Sequence, residues 1–154
     1  MKSPHLLRVT APPDRFAALI AAARALDLRV GWLDLLAAGA GPDPIPPALE
    51  AAADLGALRA VAVGEGRAVS VKPLRGQPVL KDLLREHFLG CALVLVRGEV
   101  EAPALEPEED GWRLLLAGNA TRRLTTADLA ESLRKPHPWG ANTAPTAPDT
   151  AVSP

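Results

Sequence analysis

The sequence predicts a mixed α/β fold: a single mixed-sheet domain with a βαβ start, two β-hairpins and helices covering the sheet. Three observations lead there. Short β-forming runs alternate with segments of helical period, glycine-bearing turns join two pairs of those runs, and one run, 91–98, is almost wholly apolar.

The chain begins with "HLLRVTA" (His5–Ala11), a short β-rich run. "PPDRFAALIAAARALD" follows, its prolines and Asp14 placed in a first turn, where they suit a helix N-terminus. Phe16, Leu19, Ile20 and Ala23 recur at i, i+3, i+4 and i+7, the stripe of an amphipathic helix. "LRVGWLDLL" (Leu28–Leu36) reads as the next strand, so strand, helix and strand fall at the spacing of a parallel βαβ unit. A loop of small residues and prolines leads to a short helix, "PPALEAAADLG", stopped at Gly56.

"ALRAVAV" and "RAVSVKP" are β runs separated by Gly64-Glu65-Gly66, a tight hairpin. "QPVLKDLLREHFLG" has the clearest helical period, with Pro78 in its first turn, Leu80, Leu83, Leu84 and His87 on one stripe, and Gly90 as its stop. That stripe is expected to pack at the centre of the fold with the strand 92–96, whose apolar character calls for cover on both faces. "EVEAPALEPEED" is acidic and punctuated by prolines, and is expected to be an exposed excursion. "GWRLLLAGNATRRLT" suggests a hairpin turning at Gly118-Asn119. In the last helix Thr125 can cap, Asp128 stands three residues on, and Leu124 and Leu129 are spaced for a hydrophobic staple. The domain is expected to span 1–140. Residues 141–154, which have nothing to bury, are expected to form a disordered tail.

Bulk properties narrow the function classes. At 154 residues, 48% hydrophobic and with mean hydropathy +0.09, the chain can bury one substantial core. No apolar run approaches the roughly 20 residues of a membrane span, and "MKSPHLL" lacks the apolar stretch of a secretory signal. One cysteine, Cys91, excludes an intrachain disulfide and every Cys-rich zinc motif, and it suits a cytoplasmic location. The net charge of −1, with no tyrosine and two phenylalanines, argues against nucleic acid as a partner. Abundant alanine, proline, leucine and arginine match a GC-rich bacterial genome.

Candidate sites are few. Gly64 and Gly66 lack the third glycine and helix of a dinucleotide loop, and no Walker A pattern occurs. Lys72, Arg75 and Gly76, just before a helix start that carries Lys81, could hold a small anion on free backbone N–H groups and cations. The plainer alternative is a loop whose cations are solvated or paired with Asp82 and Glu86. Asp34 ends a strand of an open α/β sheet, where ligands gather, or else points outward. His87 and Cys91 could form a nucleophilic pair, or be a satisfied, partly buried histidine and a small buried hydrophobe. No close ligand pair suggests a metal, and no motif implies a cofactor. In "KPHPWG", Trp139 either folds back onto its own sheet or docks on a partner.

The resulting expectation is a small cytoplasmic accessory or regulatory protein, acting by protein–protein contact or self-association, without membrane or nucleic-acid partners. The alternative is a small anionic-ligand or nucleotide-binding protein using the loop 72–81. A third reading is a hydrolase or transferase built on Asp34 and His87.

Overall fold

A computed structural model describes residues 3–37, 41–42 and 44–139. The expected tail, 141–154, lies outside the described residues. The fold is mixed α/β. Two compact units make up the chain: one formed by the residues up to Leu35 and from Leu84 onward, the other by Leu36–Leu83.

The first unit is built on a six-stranded sheet. Its strands are β1 (His5–Val9), β2 (Val30–Asp34), β5 (Leu93–Arg97), β6 (Ala104–Glu108), β7 (Gly111–Leu115) and β8 (Thr121–Leu124), in the order β2-β5-β1-β6-β7-β8. β2, β5, β1 and β6 run parallel, and β6, β7 and β8 form an antiparallel meander. The βαβ start is present, but β5 lies between its two strands, pairing Leu93 to Arg97 with His5–Val9 on one side and Val30–Asp34 on the other. Its composition explains the position: Leu93, Val94, Leu95 and Val96 are fully buried, and only a central strand buries consecutive side chains on both faces.

One face carries the main core. A 3-10 turn (Pro13–Phe16) leads into α1 (Ala17–Ala25), and Phe16, Leu19 and Ala23 turn inward as the stripe predicts. They pack with Leu7, Val9, Leu93, Leu95 and Trp112, and α4 (Thr126–Ser132) adds Leu129 and Ala130. Phe16 sits between two indoles, 5.8 Å from Trp32 and stacked at 5.6 Å on Trp112. The Thr125 hydroxyl accepts from the Asp128 N–H at 3.1 Å, so the cap read from the sequence closes α4.

The other face shows why Gly31 stands in β2. A methyl group there would lie 2.5 Å from the Phe88 ring, so the phenyl rests directly on the strand backbone. Phe88, which follows α3 (Leu80–His87), makes this contact, whereas α3 itself buries no side chain and Leu84 is only half-buried. The expectation that its apolar stripe forms the centre is corrected: an eight-residue helix with Lys81, Asp82, Arg85, Glu86 and His87 exposed lies at the periphery.

The acidic segment is corrected as well. Instead of an exposed excursion it contains β6, which bridges the parallel and antiparallel halves. Alternation explains the misreading: Leu105 points into the core while Glu106 and Glu108 point away and meet arginines of the neighbouring strands. Gly118 and Asn119, both with positive φ, turn the chain from β7 to β8 as expected.

The second unit holds α2 (Pro47–Asp54) and the two-stranded ribbon of β3 (Ala60–Gly64) and β4 (Arg67–Val71). Gly66, at φ 77°, makes the turn between them. Leu49 and Ala60 are buried and Val71 is half-buried; the rest of the ribbon is exposed. Glycines 64 and 66 therefore shape a hairpin, not a phosphate cradle.

Candidate functional site

In an open α/β sheet, ligands gather beyond the carboxyl ends of the parallel strands, where loop N–H groups and a helix start converge. Here the chain leaving β1 runs Thr10-Ala11-Pro12-Pro13 into the 3-10 turn. Two prolines remove two N–H donors from the position where an anion would be held. The turn starts without a side-chain cap, and Ala11 to Arg15 present no glycine.

The ends of β2 and β5 carry a different arrangement. Asp34 and Arg97 are register partners, and the carboxylate accepts two hydrogen bonds from the guanidinium, from Nε at 2.8 Å and Nη2 at 3.2 Å. The same guanidinium lies 5.6 Å from the centre of the Trp32 ring, two residues before Asp34 on the same strand. Trp32 Nε1 is buried without a hydrogen-bond partner among the described residues. Asp34 therefore stands at the strand end anticipated for it, engaged by a fork-shaped cation. Arg97 is the residue sequence reasoning missed. Its signal was present: a charge closing an otherwise apolar strand, level with a carboxylate closing another.

His87 is exposed and makes its ring contact with Phe88, at 6.4 Å edge-on. The partly buried histidine expected on a packed stripe is corrected, because the stripe itself is peripheral. Cys91 is half-buried, and burial pushes its thiol up, against a smaller lowering by the Arg29 guanidinium. A protonated thiol is a weak nucleophile. Nothing in the described structure joins Cys91 to His87 as a catalytic pair, and Asp34 belongs with Arg97 instead.

Lys72, Arg75 and Gly76 lie along an open segment, with Gly76 at φ 68°, and Lys81 follows in the first turn of α3. All four are exposed, and α3 starts at Leu80, two residues later than Pro78. The first-turn N–H groups of Asp82 and Leu83 both bond to the Val79 carbonyl.

Trp139 is buried, 6% exposed, within the main core. Its ring meets His5 edge-on at 6.3 Å, and its carbonyl accepts from Arg122 Nη2 at 3.3 Å. The docking role for this indole is corrected: the side chain folds back onto its own sheet, because the apolar surface it needs is already there.

The meander presents a charged face. Arg113 donates to Glu106 across β6 and β7, and Arg123 pairs with Glu108 at 3.3 Å. The hydrogen bond that Arg113 donates to the Glu106 carboxylate holds its guanidinium above its ordinary range. Beside these pairs lies a shallow depression of about 370 Å³ whose lining includes Glu109, Asp110 and Arg123. No group of three or more metal-ligating side chains occurs among the described residues. No described helix is long and apolar enough to cross a membrane.

These features define a mixed α/β protein with a parallel half-sheet whose first strand-to-helix turn carries two prolines. No family model matches the chain, and no curated protein matches it. Among solved structures, the crystal structure of Bacillus subtilis MobB is similar, with a TM-score of 0.47 and 15% identity over 69% of this chain and 69% of that one.

Proposed function

We propose that this protein is an accessory or regulatory protein that works by protein–protein contact. The carrying observation is the apolar surface of the second unit. Leu55 is 89% exposed, Leu58 87% and Val63 80%, and Val61, Val69, Leu74 and Val79 are exposed with them. Scattered single exposures are ordinary in soluble proteins; seven large apolar side chains exposed within 55–79 support an interaction reading. The strand ends support the same reading, because Pro12 and Pro13 remove donors where a doubly wound sheet holds its ligand, and Asp34 is engaged by Arg97.

The test places a photo-crosslinking amino acid at Val63 and, as a control, at the exposed Asp110 of the meander, in cells of the native host. The expected result is a discrete protein adduct from position 63 and none from position 110. Absence of any adduct at 63 overturns the reading.

A further inference from the structure

The outward side of α1, in the first unit, carries a groove with a charge at each end. Asp14, Ala17, Ala21 and Arg24 follow one another at spacings of three, four and three residues, so they fall in one line along the helix. All four are exposed, whereas Phe16, Leu19 and Ala23 turn the opposite side into the core. With Pro13 and Ala25 they line a shallow depression of about 670 Å³. The alanines leave the helix backbone open to close approach by another helix. Among the described residues neither the Asp14 carboxylate nor the Arg24 guanidinium has a hydrogen bond or ion pair.

We infer that this face of α1 packs antiparallel on the same face of a second copy of the chain, about a two-fold axis level with Leu19. Charge complementarity names the occupant. In that register Asp14 of each copy meets Arg24 of the other, making two ion pairs. Ala17 meets Ala21 of the other copy, so the helices cross where both are narrowest, and Pro13 stands opposite Ala25. The six positions thus exchange with one another under the two-fold, as an isologous interface demands. A parallel arrangement would instead set Asp14 on Asp14 and Arg24 on Arg24. A slip of one heptad either way leaves Arg24 opposite Ala21 or carries it past the helix start, and no ion pair forms. One register therefore satisfies both the charges and the packing. The segment Pro13–Ala25 is too short to bury by itself the roughly 800 Å² per partner of a standard interface, so the dimer is weak. This inference goes beyond the interaction reading above, whose surface lies in the other unit.

The test is sedimentation equilibrium of the purified full chain from low micromolar to millimolar concentration. A monomer–dimer equilibrium is expected. Asp14→Lys or Arg24→Glu alone should weaken the dimer about tenfold, because two exposed ion pairs become two like-charged contacts. The double reversal should restore it. Ala21→Gln should abolish the dimer by filling the crossing point, without altering the monomer's far-UV spectrum, since that position is exposed. A chain that stays monomeric throughout, a dimer indifferent to the single reversals or to Ala21→Gln, or a double reversal that weakens it further overturns the inference. The host crosslinking is read separately. A Val63 adduct combined with a monomeric purified chain defeats the α1 pairing and leaves the interaction reading standing, whereas a dimer with no adduct at Val63 defeats the interaction reading alone.

Discussion

Replacing Trp139 by alanine tests where the C-terminal segment belongs. The indole is 6% exposed and sits in the main core with Leu7, Leu129 and Leu133. An aromatic side chain buries roughly 150–250 Å², which at about 25 cal/mol per Å² corresponds to about 4–6 kcal/mol. That is an upper bound, because the unfolded chain already hides part of this surface. Measured aromatic-to-alanine losses in cores are about 3–5 kcal/mol, and the expected loss here lies in that range. The backbone carbonyl that accepts from Arg122 survives the substitution, so the loss reports the side chain. Urea unfolding followed by far-UV circular dichroism measures it: the midpoint should fall with the slope unchanged. Against a net stability of about 5–15 kcal/mol for a domain, such a loss removes a large part of the total. A loss below about 1 kcal/mol, the scale of an ordinary surface change, would refute the placement of the indole in the chain's own core.

Leu95→Ala, in the fully buried central strand, should cost about 2–5 kcal/mol, while Leu84→Ala on peripheral α3 should cost clearly less in the same urea experiment. Asp34 and Arg97 are both substantially exposed, so a double-mutant cycle on the pair should return a coupling of about 0–1 kcal/mol; several kcal/mol would mean the pair is shielded from water. Burial raises the Cys91 thiol in the folded state, so its contribution to stability is present below the ordinary thiol pKa and is lost as pH rises through the folded value. Native Cys91 should accordingly alkylate with iodoacetamide more slowly than the urea-unfolded chain at pH 8, and equal rates would contradict that burial. Inorganic phosphate and nucleotides should leave the melting temperature unchanged; a rise that Arg75→Ala removes would instead assign the loop 72–81 to an anion.

The sequence discloses the elements more readily than their neighbours. Periodicity finds α1 and its inward residues because Phe16, Leu19 and Ala23 repeat at helical spacing, and the Thr125 cap is a local pattern needing no tertiary information. The central place of β5 is legible too, since its consecutive apolar residues have nowhere else to go. β6 is hidden because its outward residues are glutamates flanked by prolines, and only the arginines of β7 and β8, brought alongside by pairing, make that acidic run a strand. α3 misleads in the opposite sense: an amphipathic stripe says that a face can be covered, not that anything covers it. The Asp34–Arg97 pair spans 63 positions of chain and depends on β5 lying beside β2, which local pattern does not contain. The exposure of Val61 and Val63 is equally a tertiary fact, because the same alternation would suit a ribbon with both faces covered.

The order in which the chain delivers its strands has a kinetic consequence. β1 and β2 emerge first, yet each pairs with β5 and not with the other, and β5 follows only after the whole of Leu36–Leu83. During synthesis the two early strands therefore lack their common neighbour, and the parallel half-sheet cannot close until that excursion has been made. Loop-closure entropy grows only logarithmically with length, so the equilibrium penalty for so long an excursion is modest. The rate is affected more, because non-local parallel pairing comes late in folding. β5 carries both parallel ladders, so His5–Val9 and Val30–Asp34 belong to one sheet only through it.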